Sequence, residues 1–124
     1  MEIPRRTLLT GMIGLAPGAK PMERYGSFGK LTAQPGQRDE LLKNLLLAAD
    51  LVKSAPGCEI YIVSTSPTEV DAVWVTEVWR SEADHAASLT LDRVKDLIKK
   101  TRPIIAGMEA TLITPIGGVG LHTE

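Results

Sequence analysis

Glu77, Trp79 and His85 stand close together in the sequence and carry most of the chemistry it offers. Glu77 lies in a run of strand-forming residues, with Val75 and Trp79 on its own side of the strand. Taking a carboxylate out of water makes it a better proton acceptor, so Glu77 reads as a general base. The alternative is a carboxylate at a sheet edge, paired with a lysine or arginine. Trp79 can donate its indole N–H to a ligand oxygen while its ring packs on an aromatic ligand. It reads equally as a core aromatic with a structural hydrogen bond. His85 follows six residues after Trp79 and either takes a proton from a ligand or orients it, or is held structurally by a backbone group or carboxylate. Tyr61, on a neighbouring strand beside Glu59 and Val63, meets a ligand through its hydroxyl if that face lines a pocket, and is otherwise packed with its hydroxyl at the rim. Phe28 is pocket wall or core. Tyr61, Phe28 and Val75 are the expected substrate contacts.

Several function classes are excluded at this level. The chain has 124 residues, 14 basic and 15 acidic side chains and a formal charge of −1. One domain is expected, with no electrostatic footprint for nucleic acid. A hydrophobic fraction of 44% is that of a folded chain. The single cysteine, Cys58, excludes an intramolecular disulfide and a multi-thiolate metal site, and two histidines leave little for zinc or haem. That inventory leaves little material for a metal site. Cys58 reads as a small buried hydrophobe. The Gly117 to Gly120 run lacks the helix, lysine and hydroxyl of a phosphate loop. Lys95, Lys99, Lys100 and Arg102 read as a solvated helix face.

The elements that must position these groups follow from periodicity and punctuation. Tyr25 to Ala33 is a strand interrupted by Gly26 and Gly29, which mark a bulge or a close approach. Gln34-Pro35-Gly36 is a turn. Gln37 to Ser54 has helical spacing, with Leu41, Leu42, Leu45, Ala48, Ala49 and Val52 on one face. Pro56-Gly57 stops it. Cys58 to Thr65 is a strand alternating Cys58, Ile60 and Ile62 against Glu59, Tyr61 and Val63, and Ala72 to Trp79 is its antiparallel partner. Ser81 caps a short helix to about Ser88. Thr90 or Asp92 caps another, to about Thr101, which Pro103 ends. Met108 to Pro115 is the last strand.

The order β-α-β-β-α-β is a ferredoxin-like α+β arrangement, an antiparallel sheet with helices on one face. Both sides of the Ala72 to Trp79 strand are largely apolar, so the sheet face away from the helices is expected to be covered by a second subunit. Residues 22–121 form this domain and 122–124 a tail. Residues 1–21 differ: Arg5-Arg6 precedes an apolar stretch too short to span a bilayer. They read as a short twin-arginine-like export signal or as an extension with Met22 as the true start. The chain is then cytoplasmic, or exported if that segment acts as a signal, with no membrane span.

The run Thr76-Glu77-Val78-Trp79-Arg80-Ser81-Glu82-Ala83-Asp84-His85 resembles the signature of the antibiotic biosynthesis monooxygenase domain, in which a strand ends in E-x-W and the next helix carries a histidine. The likeness continues through Leu89 to Gly107, the strand at Met108 and Pro35-Gly36, over roughly Met22 to Leu121. It is most similar to the small proteins called quinol monooxygenases. The resemblance implies a dimeric α+β barrel, with a small pocket between sheet and helices in each subunit. It also implies oxidation of a quinol or polycyclic phenol by O₂ without metal or flavin, with Glu77, Trp79 and His85 as catalytic residues. The implied partners are a second copy of the chain, a small aromatic substrate and O₂. Two alternatives stay open: a non-catalytic small-molecule-binding dimeric barrel and a haem-degrading monooxygenase. Haem-degrading relatives need an axial histidine on the later helix, where this chain reads Leu97-Ile98-Lys99-Lys100-Thr101-Arg102.

Overall fold

The structure, a computed structural model, describes residues 23–121. The export-signal reading of residues 1–21 and the tail at 122–124 lie outside the described residues. Strand β1 (Tyr25–Ala33) leads to helix α1 (Arg38–Val52), then to β2 (Cys58–Thr65) and β3 (Ala72–Trp79). Helices α2 (Glu82–Ser88) and α3 (Asp92–Thr101) follow, then a 3₁₀ turn (Arg102–Ile104) and β4 (Ile105–Ile113). The sheet order is β2-β3-β1-β4, with every neighbouring pair antiparallel. This is the ferredoxin-like α+β fold, and β1 and β3 are its inner strands.

The helix-facing side is set by the β1/β3 register, in which Tyr25 pairs with Trp79, Ser27 with Glu77, Gly29 with Val75 and Leu31 with Val73. Two apolar clusters hold α1 and α3 to this side. Leu31, Ala33, Leu41, Val73 and Val75 form one, and Val52, Trp79 and Val94 the other. Each fully buried Leu or Val side chain contributes about 1.5–3 kcal/mol, which makes these clusters the main source of stability.

Three local expectations are corrected. The alternation in β2 breaks, because the register shifts between Cys58, which pairs with Trp79, and Ile60, which pairs with Val78. Cys58 therefore packs beside Tyr61 against the Trp79 cluster instead of sharing a face with Ile60. An extra residue in one strand reverses the parity of what precedes it. Neither Thr90 nor Asp92 caps α3: the N-cap is Leu91, Asp92 is the first helical residue, and the Thr90 hydroxyl instead donates to the Ala87 carbonyl at 2.7 Å. The last strand runs over Ile105–Ile113 rather than Met108 to Pro115, because the 3₁₀ turn at Pro103 hands the chain directly to the edge of β1. Ser81 does cap α2, its hydroxyl accepting from the Asp84 N–H at 3.1 Å.

Gly26 marks a close approach. A Cβ there would come within 2.8 Å of Ile113 and Pro115. Among the described residues, no helix is long and apolar enough to cross a membrane.

Candidate functional site

A cavity of about 330 Å³ lies between the sheet and the helices, within the size range of small-molecule sites. Its floor is the helix-facing side of β1, β3 and β4, and α1, α2 and α3 close it from above. Most of its lining is aliphatic. Glu77, Trp79, His85, Tyr61 and Val75 all line it.

Glu77 occupies an inner strand, not the sheet edge, and its side chain is one-fifth exposed. Oε1 accepts the Trp79 indole N–H at 2.9 Å. His85 Nε2 stands 3.8 Å from the same oxygen. That separation exceeds a hydrogen bond and leaves both groups within reach of one ligand oxygen that bridges them from the cavity side. The pairing of Glu77 with a lysine or arginine is replaced by this tryptophan–histidine environment. Of the two readings of Trp79, the geometry matches the buried aromatic with a structural hydrogen bond: its indole N–H is committed to Glu77 and orients the carboxylate.

His85 is brought in by the strand-to-helix corner that Ser81 caps. Its ring stacks on Tyr25 at 4.6 Å between centroids, with 26° between planes, and meets the edge of Trp79 at 5.6 Å. Two aromatic contacts fix the imidazole plane. Tyr25 is therefore a member of the cluster that sequence reasoning missed. It opens β1, far from the E-x-W run, and only its pairing with Trp79 brings it here.

Tyr61 pairs with Glu77 across β2 and β3. Burial pushes its phenol well above the ordinary 10.0, with the Glu77 carboxylate and Cys58 adding to the effect. Tyr61 is therefore a neutral O–H donor at physiological pH and not a base. Burial, with Glu77 and then Glu82, raises Tyr25 as well. Burial, with Glu77 and then Glu59, raises the Cys58 thiol, which makes it a poor nucleophile.

Phe28 does not belong to this site. It pairs with Thr76 and Thr111 on the opposite sheet face and is 45% exposed. Its expected substrate contact in the cavity is thereby withdrawn. The glycines flanking it give the strand no hydrophobic parity, so sequence alone does not assign its face. Asn44, by contrast, is a buried polar residue of the cavity wall that the leucine-rich pattern of its helix hides. Among the described residues, no group of three or more histidine, cysteine, aspartate or glutamate side chains is placed to hold a metal ion.

A family model described as antibiotic biosynthesis monooxygenase matches residues 25–100. A solved structure from Chloroflexus aurantiacus J-10-fl, named for the same family, is 45% identical with a TM-score of 0.74, covering 80% of this chain and 99% of that one. Another so named, from Caulobacter crescentus CB15, is 26% identical with a TM-score of 0.72, covering 77% and 92%. A third, from Deinococcus radiodurans, shares the fold at 20% identity with a TM-score of 0.67, covering 80% and 99%. No curated protein matches the chain.

Proposed function

The chain belongs to the antibiotic biosynthesis monooxygenase family, and from that premise we propose that it oxidises a quinol or polycyclic phenol with O₂, without metal or flavin. The observation that carries the reading is the placement of Glu77 Oε1 and His85 Nε2 3.8 Å apart on the wall of a largely apolar cavity. A substrate hydroxyl bridges them from the cavity side. Glu77, oriented by Trp79, accepts the phenolic proton, and His85 holds the resulting oxyanion by a hydrogen bond. The phenolate is electron-rich and gives an electron to O₂. The radicals combine at a ring carbon. Cleavage of the O–O bond leaves one oxygen on the ring and releases the other as water, the substrate supplying all the electrons. The largely apolar walls offer few groups to hold water beside the reacting atoms. Tyr61, kept neutral, donates to the substrate, and Val75 packs against its ring.

The subunit pairs with a second copy through the sheet face away from the helices, where Phe28, Ile62 and Trp74 are exposed. Oxygen uptake with 1,4-dihydroxynaphthalene prepared anaerobically tests the activity. The parent consumes O₂ well above the uncatalysed rate, and Glu77→Gln lowers kcat/KM by about 10²-fold or more. His85→Ala lowers it by a smaller factor. A parent that binds the quinol and adds nothing to its autoxidation would leave a binding protein and end the monooxygenase reading.

A further inference from the structure

The Glu77 cluster is not the cavity's only polar feature. Asn44 lies in the middle of α1, is 1% exposed and lines the same cavity. Its Nδ2 donates to Thr101 Oγ1 at 3.1 Å. Thr101 commits its hydroxyl hydrogen to the Leu97 carbonyl at 2.6 Å. The threonine oxygen can then only accept from Asn44, which fixes the amide with Nδ2 toward Thr101 and Oδ1 away from it. Oδ1 is buried and has no hydrogen-bond partner among the described residues. A buried carbonyl held in one orientation without a donor, on a residue that lines a cavity, is left to accept from a group outside the described residues.

Its position relative to Glu77 follows from packing. Leu41 sits in the cluster with Val73, and Val52 in the cluster with Trp79, so α1 lies alongside β3. Rises of about 1.5 Å per helical residue and about 3.3 Å per strand residue place Asn44 about 5–9 Å along β3 from Glu77, depending on which cluster is the anchor. An arene with hydroxyls at opposite ends, each making one hydrogen bond, fits between the two.

We infer that Asn44 is a specificity-determining residue: its Oδ1 accepts a hydrogen bond from a second hydroxyl, remote from Glu77, and selects para-dihydroxyarenes over monohydroxyarenes of the same ring size. The inference rests on the proposed docking of one hydroxyl at Glu77. A site that buries an acceptor for a substrate O–H rejects the analogue lacking it, because the acceptor is then left unpaired.

The test is affinity without oxygen, so it is separate from turnover. The full chain is titrated calorimetrically under anaerobic conditions with 1,4-dihydroxynaphthalene and with 1-naphthol. In the parent the diol binds at least about tenfold more tightly. Asn44→Leu, of the same branching but bulkier, brings the two affinities to within about twofold while 1-naphthol still binds. Thr101→Val releases the amide to rotate and narrows the preference, and it decides the matter if Asn44→Leu does not fold. Glu77→Gln weakens both probes and leaves their ratio unchanged. Equal affinities in the parent, a preference that survives Asn44→Leu or Thr101→Val, or no binding of either probe overturns the assignment. A parent that prefers the diol but consumes no oxygen ends the monooxygenase reading and leaves the role of Asn44 intact.

Discussion

Glu77 is the residue around which the others are arranged. Trp79 supplies its hydrogen bond, His85 stands 3.8 Å from the same oxygen, and Tyr61 faces it across the strand pair. Trp79→Phe keeps most of the ring and removes the N–H. The expected loss is about 1–2 kcal/mol in urea unfolding, because the bond is charge-assisted but its acceptor is partly solvated. Tyr61 gives a pH prediction. Its folded pKa is raised above the ordinary 10.0, so the unfolded chain releases this proton first as pH rises. The unfolded state then binds fewer protons, and stability falls with pH. The contribution is fully present below about pH 10 and is lost progressively above it, as pH climbs toward the folded value. Tyr61→Phe therefore flattens the alkaline arm of the stability–pH curve, measured by urea unfolding across the alkaline range. An unchanged slope in the variant would contradict the assignment. Glu77, Trp79 and His85 are legible in the sequence because one strand and the next helix carry all three. Tyr25 and Asn44 are not, because each arrives from an element distant in the chain.

At the scale of elements, the passage from α1 into β2 is the most constrained. Gly57 has φ +85°, in the left-handed region, and its Cα faces the Asp84 side chain so closely that a Cβ would collide with it. Gly57→Ala meets both penalties. An expected loss of about 2 kcal/mol or more, read from urea unfolding, follows from the unfavourable backbone and the clash. Gly36 also has positive φ, +80°, but a Cβ there meets nothing within 4 Å, so Gly36→Ala carries the backbone penalty alone and costs less. The sequence marked both glycines as turn residues and did not separate them, since the clash involves a side chain more than 25 positions away. The three other strand boundaries, Tyr25–Ala33, Cys58–Thr65 and Ala72–Trp79, fall where residue type and turn signals put them. The bulge after Cys58 does not, because no glycine or proline lies inside that strand to announce it.

At the scale of the molecule, the helices cover one face of the sheet and the opposite face carries exposed apolar side chains. Trp74 is 37% exposed, Phe28 45% and Ile62 54%. Lys30 lies 5.9 Å over the Trp74 ring and is paired with Glu69 at 2.7 Å, so the lysine charge on this face is already partnered. An apolar patch of this kind on a small domain favours association. Light scattering is expected to give twice the chain mass. Ile62→Asp is expected to shift it to a monomer with unchanged far-ultraviolet circular dichroism. A parent that stays at the monomer mass across a wide concentration range contradicts the proposed pairing.

The sequence by itself determined the order of elements, the ferredoxin-like class and the identity of the E-x-W and histidine cluster. These depend on local periodicity and on residues that lie next to one another along the chain. The tertiary structure alone decided which sheet face each β1 side chain occupies, that the Trp79 N–H is spent on Glu77, that Tyr25 stacks on His85, and that Asn44 lines the cavity. Those are facts of strand register and helix packing. A shift of one residue moves a side chain through the sheet, and a helix carries a polar residue into a cavity only when another element stands opposite it.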